Sequence, residues 1–175
     1  MNHADHVALI REGVIGGGSF WADLGSGSGA FTLALAELLG SSGTIHSVDR
    51  DEAALGRQAD EMAARFPAVQ IHQLKADFSR PLSLPSLDGI LMANSLHFVA
   101  DKAAVLGSLL QHLRAGGRLV LVEYDADEGN PWVPYPLSFR SWVDLAADVR
   151  LRDTRRLASV PSRFLGSIYS ALSLR

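Results

Sequence analysis

The chain has no cysteine at all, which removes disulfides, thiolate zinc sites, iron–sulfur clusters and cysteine nucleophiles together. No apolar run approaches the ~20 residues that a membrane helix needs. Neither sign of charge dominates, with 16 basic against 19 acidic residues, and no lysine run is present. The first thirty residues lack a basic start, an apolar core and a small-residue cleavage site. Together with the missing cysteines, this reads as a cytoplasmic chain in a reducing compartment. What is present is ample: 175 residues, 47% of them apolar, can bury roughly 70% of the surface of the unfolded chain. The expectation is a single domain over 1–175.

The net charge of −3 is uneven along the chain. Residues 140–175 hold seven arginines against Asp144, Asp148 and Asp153, a local +4, so the first 139 residues carry −7. Apolar residues interrupt those arginines in a strand-like rhythm, which reads as solvated strand edges rather than a nucleic-acid surface.

Strand and helix signals alternate. DHVALIREG reads as a short helix ending at Gly13, followed by a strand over Phe20 to Leu24. Phe31, Leu35, Leu38 and Leu39 then keep the spacing of a helix face and stop at Gly40. TIHSVDRD is a strand, residues 51–65 a helix closed by Pro67, and VQIHQLKAD a third strand. DGILMANS is a nearly continuous apolar strand, buried on both faces. Residues 99–117 read as one helix leaving through Gly116 and Gly117, and RLVLVEYD is a fifth strand. Beyond Asp125 come a proline-rich loop, a helix over 139–151, and two strands joined near Gly166. Five repeats of strand and helix with short connections specify an α/β fold: a mostly parallel sheet with helices on both faces.

The strongest chemical signal is Asp23-Leu24-Gly25-Ser26-Gly27-Ser28-Gly29 between the first strand and the next helix. Glycines let the chain turn sharply and bring backbone N–H groups close to a polar ligand, at a helix end that favours negative charge. Gly25, Gly27 and Ala30 also satisfy the dinucleotide pattern G-x-G-x-x-[G/A]. Asp49 ends the second strand 20 positions past Gly29, where a carboxylate can accept both hydroxyls of a ribose. Asp77, followed by Phe78, ends the third strand and suits an exocyclic amine beside a flat ring. Three acids at successive strand ends describe a nucleoside-shaped site.

In these residues the chain resembles the class I S-adenosylmethionine-dependent methyltransferases. The resemblance runs in order from Trp21 to Asp125 through WADLGSGSG, HSVDRD, KADF, GILMANSLHFV and LRAGGRLVLVEYD. It implies a Rossmann-like seven-stranded sheet with a C-terminal antiparallel hairpin supplied by Arg155 to Arg175. It further implies S-adenosyl-L-methionine as cofactor and S-adenosyl-L-homocysteine as product, with a cofactor-binding half near 20–100 and acceptor-side elements near 123–175. By position, Asp23, Gly25, Ser26, Gly27 and Gly29 surround the methionine end. Asp49 holds the ribose, Asp77 and the N–H of Phe78 take the adenine, and Arg50 stacks where the family often has an apolar residue. A dinucleotide protein normally has a small or apolar residue at the position of Asp23, because an anion there repels the pyrophosphate.

The fourth strand ends in Asn94-Ser95-Leu96-His97, where family members line the methyl-transfer pocket. Asn94 is a candidate for cofactor and acceptor contacts. His97 is a candidate general base, since its side chain titrates nearest neutrality, or a residue that packs the loop. NSLH is not the Pro-Pro-aromatic strand end of DNA amino methylation, Asn130-Pro131-Trp132 follows the wrong strand, and cytosine ring methylation needs a cysteine. DNA is therefore excluded, and without an RNA-binding appendage the expected acceptor is a small organic molecule. Trp132 and Tyr135, with Phe139, read as a lid or as packing over the sheet; a second subunit of a homodimer is the other available cover. Glu123, Tyr124 and Asp125 end the fifth strand, and Tyr124 reads equally as a substrate contact or, with its neighbours, as a strand-end residue in solvent. Asp88 reads as a turn residue, His3 and His6 as exposed near a frayed end, and no histidine pair, His46 and His72 included, as a metal site. A module that binds the cofactor without turnover is the alternative reading.

Overall fold

The computed structural model describes residues 1–162 and 164–175. Among these residues one sheet holds seven strands: β1 (Phe20–Leu24), β2 (Thr44–Asp49), β3 (Gln70–Lys75), β4 (Leu87–Ala93), β5 (Leu113–Tyr124), β6 (Arg152–Pro161) and β7 (Ser167–Leu174). Their order is β3-β2-β1-β4-β5-β7-β6. The first five run parallel, and β7 lies antiparallel to both of its neighbours. The order reverses between β1 and β4, the switch point where open α/β sheets take their ligands.

Among the described residues five helices flank the sheet: α1 (His3–Val14), α2 (Ala30–Leu39), α3 (Glu52–Arg65), α4 (Lys102–Leu109) and α5 (Phe139–Asp148). Leu9, Ile10, Phe31 and Leu35 from α1 and α2 pack with Trp21, Ile45 and Val120 on one face. Leu106, Leu109, Trp142 and Ala146 from α4 and α5 pack with Leu24, Ile90 and Leu121 on the other. Strands caught between two such layers have no solvent face, which is why β4 lacks polar alternation. Trp21 pairs with Gly89 across β1 and β4, and a Cβ at Gly89 would lie 2.4 Å from the indole. Only glycine admits that ring.

Four expectations need correction. The helix read over 99–117 stops at Leu109, and after a 3-10 turn (Leu110–His112) the chain is already β5. Leu113 pairs with Leu87 whereas Arg118 pairs with Gly89, so the intervening residues bulge, with Gly116 at φ +74°. The two glycines serve that bulge and not a helix exit. Asp88 is more than a turn residue: it accepts the N–H groups of Ser19 and Phe20 at 2.9 Å each and pairs with Arg114 at 2.7 Å, fixing the entrance to β1. The N-terminal end is not frayed, because Asn2 and Asp5 form a reciprocal cap on α1. His3 lies 2.8 Å from Glu37, and the His6 ring lies tilted against that of Phe31 with centroids 4.6 Å apart. The closing strands are found as expected, although Arg163 lies outside the described residues. The arginines of β6 are exposed, but Arg156 also pairs with Asp125 at 2.8 Å and lies over the rings of Phe139 and Tyr169.

Candidate active site

A cleft of about 340 Å³ opens at the carboxyl ends of β1, β2 and β4, lined by Gly25, Asp49, Arg50, Asp77, Phe78 and Asn94 among others. Six of the sequence candidates thus share one wall. Ser26, Gly27 and Gly29 and the acid Asp23 are not among the lining residues; Asp23 and Gly29 are buried. Gly25 is needed here: its φ is +77°, and a Cβ would sit 2.5 Å from that of Ser95 and 3.1 Å from the Phe78 ring.

Asp23 is buried and held by the Thr32 hydroxyl at 2.6 Å. Burial pushes its carboxyl up to about 7, with the nearby charge of Asp49 adding to the rise and the Thr32 hydrogen bond opposing it. Thr32 also accepts from Gln58 Nε2 at 3.0 Å, Gln58 Oε1 accepts from the Ser47 hydroxyl at 2.7 Å, and Ser47 meets Ser26 at 2.7 Å. Gln73 donates to Gln58 at 2.9 Å. This buried relay ties the glycine loop to α3 and β3, and it satisfies polar groups that would each cost about 1–3 kcal/mol if left unpaired. The sequence reading missed Gln58 altogether. Its one sequence signal is a polar residue on the apolar face of α3, in register with Leu55 and Met62.

Asp49 accepts Gly27 N–H at 2.7 Å and Asp51 N–H at 2.9 Å. A carboxylate has about four acceptor sites, so two remain for a diol. Asp77 folds one oxygen onto the N–H and hydroxyl of Ser79, which holds its carboxyl below the usual range. The Phe78 N–H carries no hydrogen bond among the described residues. Asn94 takes the left-handed conformation at φ 51°, and its buried Oδ1 has no partner among the described residues. Strain and an orphaned acceptor on a cleft wall are the marks of a ligand position. The first turn of α2 has neither a side-chain cap nor an acid, so its N–H groups stay available.

His97 is buried beside the cleft, not on its wall. Its Nδ1 lies 2.9 Å from Glu123 Oε2, and its backbone N–H donates to Glu123 Oε1 at 3.0 Å. Glu123 is fully buried and also accepts the Tyr124 N–H. The reading of Glu123 and Tyr124 as residues in solvent is therefore corrected: both are buried, paired with Tyr169 and Ile168 of β7.

The loop after β5 is fastened at several points. Asp125 and Asp127 accept the N–H groups of Phe139 and Ser138, Tyr169 donates to Leu137 O, and Tyr135 N–H donates to His97 O. Trp132 itself is 73% exposed, so it does not pack over the sheet; Val133 and Leu137 do that. Trp132→Ala should accordingly leave the melting temperature within about a degree or two, as surface changes do. If the loop covers the acceptor, the same variant raises the Michaelis constant for acceptor. A large drop in melting temperature would exclude the lid role.

The comparisons with known proteins agree with this geometry. Residues 22–119, more than half of the chain, match the family described as "Methyltransferase domain". The chain belongs to that family. A ubiquinone/menaquinone biosynthesis C-methyltransferase of Marinomonas sp. is 27% identical over 120 residues, 68% of this chain and 48% of that protein. An O-methyltransferase of Penicillium expansum is 30% identical over 113 residues, 64% of this chain and 40% of that one. The methyltransferase domain thus spans about half or less of the length of these relatives. A crystal structure of an S-adenosylmethionine-dependent methyltransferase from Aquifex aeolicus superposes with a TM-score of 0.74 at 19% identity, covering 97% of this chain and 89% of that one. The architecture is the class I methyltransferase fold. Among the described residues no helix is long and apolar enough to cross a membrane.

Proposed function

We propose that this methyltransferase domain transfers the methyl group of S-adenosyl-L-methionine to a small organic acceptor. The observation that carries the reading is the cleft wall itself, where Asp49 and Asp77 with Phe78 bracket a volume suited to a nucleoside at the switch point of the sheet. The residues fit the cofactor: Asp49 has acceptors left for the ribose hydroxyls, Asp77 and the Phe78 N–H suit the adenine edge, and Arg50 offers a planar cation for stacking. Gly25, Ser26, Gly27 and Gly29 with the open start of α2 suit the polar methionine end, and Asn94 Oδ1 offers an unpaired acceptor. Asp23 acts through Thr32, holding the first turn of α2.

S-adenosylmethionine, held by these residues, would supply an electrophilic methyl for transfer to the acceptor atom. The protein's share is to hold the reactants together and aligned, a contribution that can reach ~7–11 kcal/mol. Asn94 and His97 stand on the acceptor side of this arrangement, and Trp132 and Tyr135 form its outer cover.

Calorimetry with S-adenosylhomocysteine and with NAD tests the reading. Binding of the former with no response to NAD is expected, because residues 22–119 match a methyltransferase family. Tight NAD binding with no response to S-adenosylhomocysteine would overturn the proposal.

A further inference from the structure

The register of β2 on β3 brings together two histidines that lie far apart in the chain. His46 pairs directly with His72, and their ring centroids are 4.9 Å apart with the planes 20° from parallel. Neighbouring strands stand ~4.7–4.9 Å apart, so the backbone sets this spacing. Of the six histidines, His3, His97 and His112 hold a ring nitrogen against Glu37, Glu123 and Leu84 O. His46 and His72 have no such partner among the described residues, so both rings keep free nitrogens. The pair is also open to solvent. The connection from β3 to β4, residues 76–86, holds no helix, and this part of the sheet lacks the layer that α4 and α5 supply elsewhere. His72 is exposed and His46 half-buried, and Phe20 and Leu74 on the same face are exposed as well. No acidic side chain joins the two in an ion-holding group among the described residues.

We infer that His46 and His72 form a two-histidine site for a transition-metal ion, preferring Cu²⁺ to Zn²⁺ and refusing Mg²⁺, which clamps the edge strand β3 onto β2. The inference goes beyond methyl transfer and stands apart from it. Two imidazoles on one ion, through ~2.1 Å bonds at a square-planar or tetrahedral angle, hold their centroids roughly 4.5–5.2 Å apart. The observed spacing falls in that range. Turning the ring edges toward the ion takes a side-chain rotation, which the exposed His72 is free to make. Imidazole nitrogen suits Cu²⁺ and Zn²⁺, with Cu²⁺ the tighter, whereas Mg²⁺ requires oxygen ligands that this pair does not offer. Water completes the coordination. The clamp acts at a sensitive place, because β3 is hydrogen-bonded to β2 alone and the two strands run directly into Asp49 and Asp77 of the cleft wall.

The test titrates Cu²⁺, Zn²⁺ and Mg²⁺ separately into the tag-free protein by calorimetry, and electron paramagnetic resonance of the Cu²⁺ form counts the bound nitrogens. Cu²⁺ should bind more tightly than Zn²⁺, Mg²⁺ should give no response, and the copper spectrum should show two imidazole nitrogens. His46→Gln and His72→Gln should each weaken Cu²⁺ binding roughly 10- to 100-fold, because losing one ligand removes the intramolecular second step of chelation. Each variant should show a single imidazole. Zn²⁺ should raise the melting temperature of the native protein and slow amide exchange over residues 70–75, and should do neither in the variants. His3→Gln and His112→Gln should leave these results unchanged. Melting of the metal-free variants establishes that they fold, and the exposed position of His72 makes its variant the safer of the two. Equal Cu²⁺ affinity in the native protein and the double variant, Mg²⁺ binding as tight as Zn²⁺, or Zn²⁺ protection of residues 70–75 that survives in His72→Gln would overturn the inference. S-adenosylhomocysteine takes no part in these measurements, so their outcome is separate from that of the methyl-transfer reading.

Discussion

Asp23→Asn will remove a fall in stability, on the order of 3 kcal/mol, that the ligand-free protein undergoes as pH rises from about 4 to 7. In the unfolded chain this carboxyl ionises near pH 4, whereas in the folded protein burial keeps it protonated up to about 7. Between those values the folded state binds more protons, so each step upward in pH favours unfolding; below the window the cost is absent and above it the cost is constant. His6 and His46, held below the ordinary histidine range chiefly by burial, act with the opposite sign as pH approaches 6.5. Asp77 and Asp127, held low by hydrogen bonds from Ser79 and Ser138, contribute stability that is lost in more acidic solution, below pH 4. The readout is therefore the difference between native and variant melting curves across pH, not the shape of either. Asparagine keeps an oxygen that can accept from Thr32, so the fold should survive. A native-minus-variant difference that stays flat from pH 4 to 7.5 would show that Asp23 is charged throughout.

The second large effect is on the cofactor. Asp49→Ala should weaken S-adenosylhomocysteine binding by about 1.5–3 kcal/mol, the worth of hydrogen bonds to a charged group, or on the order of ten- to a hundredfold. The loss has two sources in this structure. One is the pair of acceptors offered to the ribose, and the other is the hold of Asp49 on Gly27 N–H, which presets the glycine loop. Asp49→Asn separates them, since its amide oxygen can still receive the Gly27 N–H while its charge is gone. An asparagine variant with native affinity would assign the role to loop bracing, and an unchanged dissociation constant in the alanine variant would remove Asp49 from the site.

These expectations were open to inspection in the sequence to different degrees. β1 and β2 announce themselves because short apolar runs end at glycine or acid, β4 because it is apolar almost throughout, and α3 because Asp51 caps it and Pro67 follows its end. Asp49, Asp77 and Gly25 could be placed by counting from strand ends, since a parallel sheet brings all its carboxyl ends to one edge. Counting says nothing about depth. It could not show that Asp23 is buried away from the lining of the cleft, or that Glu123 is buried against His97, because those outcomes depend on how β4 and β5 bring their last residues together. The start of β5 was hidden for another reason: Leu113 to Gly117 has the composition of a helix end, and only the bulge opposite Leu87 reveals it as strand.

The insertion of β7 between β5 and β6 has a consequence for how the chain assembles. Of the seven strands, β7 is the last to be synthesised, yet it occupies an interior position and is hydrogen-bonded on both sides. Before it arrives, β5 presents an open edge of buried-type side chains, and β6 has no ladder to join. The C-terminal segment is thus the keystone of this end of the sheet: the β5 end that carries Glu123 is completed only when Tyr169 docks opposite it in register.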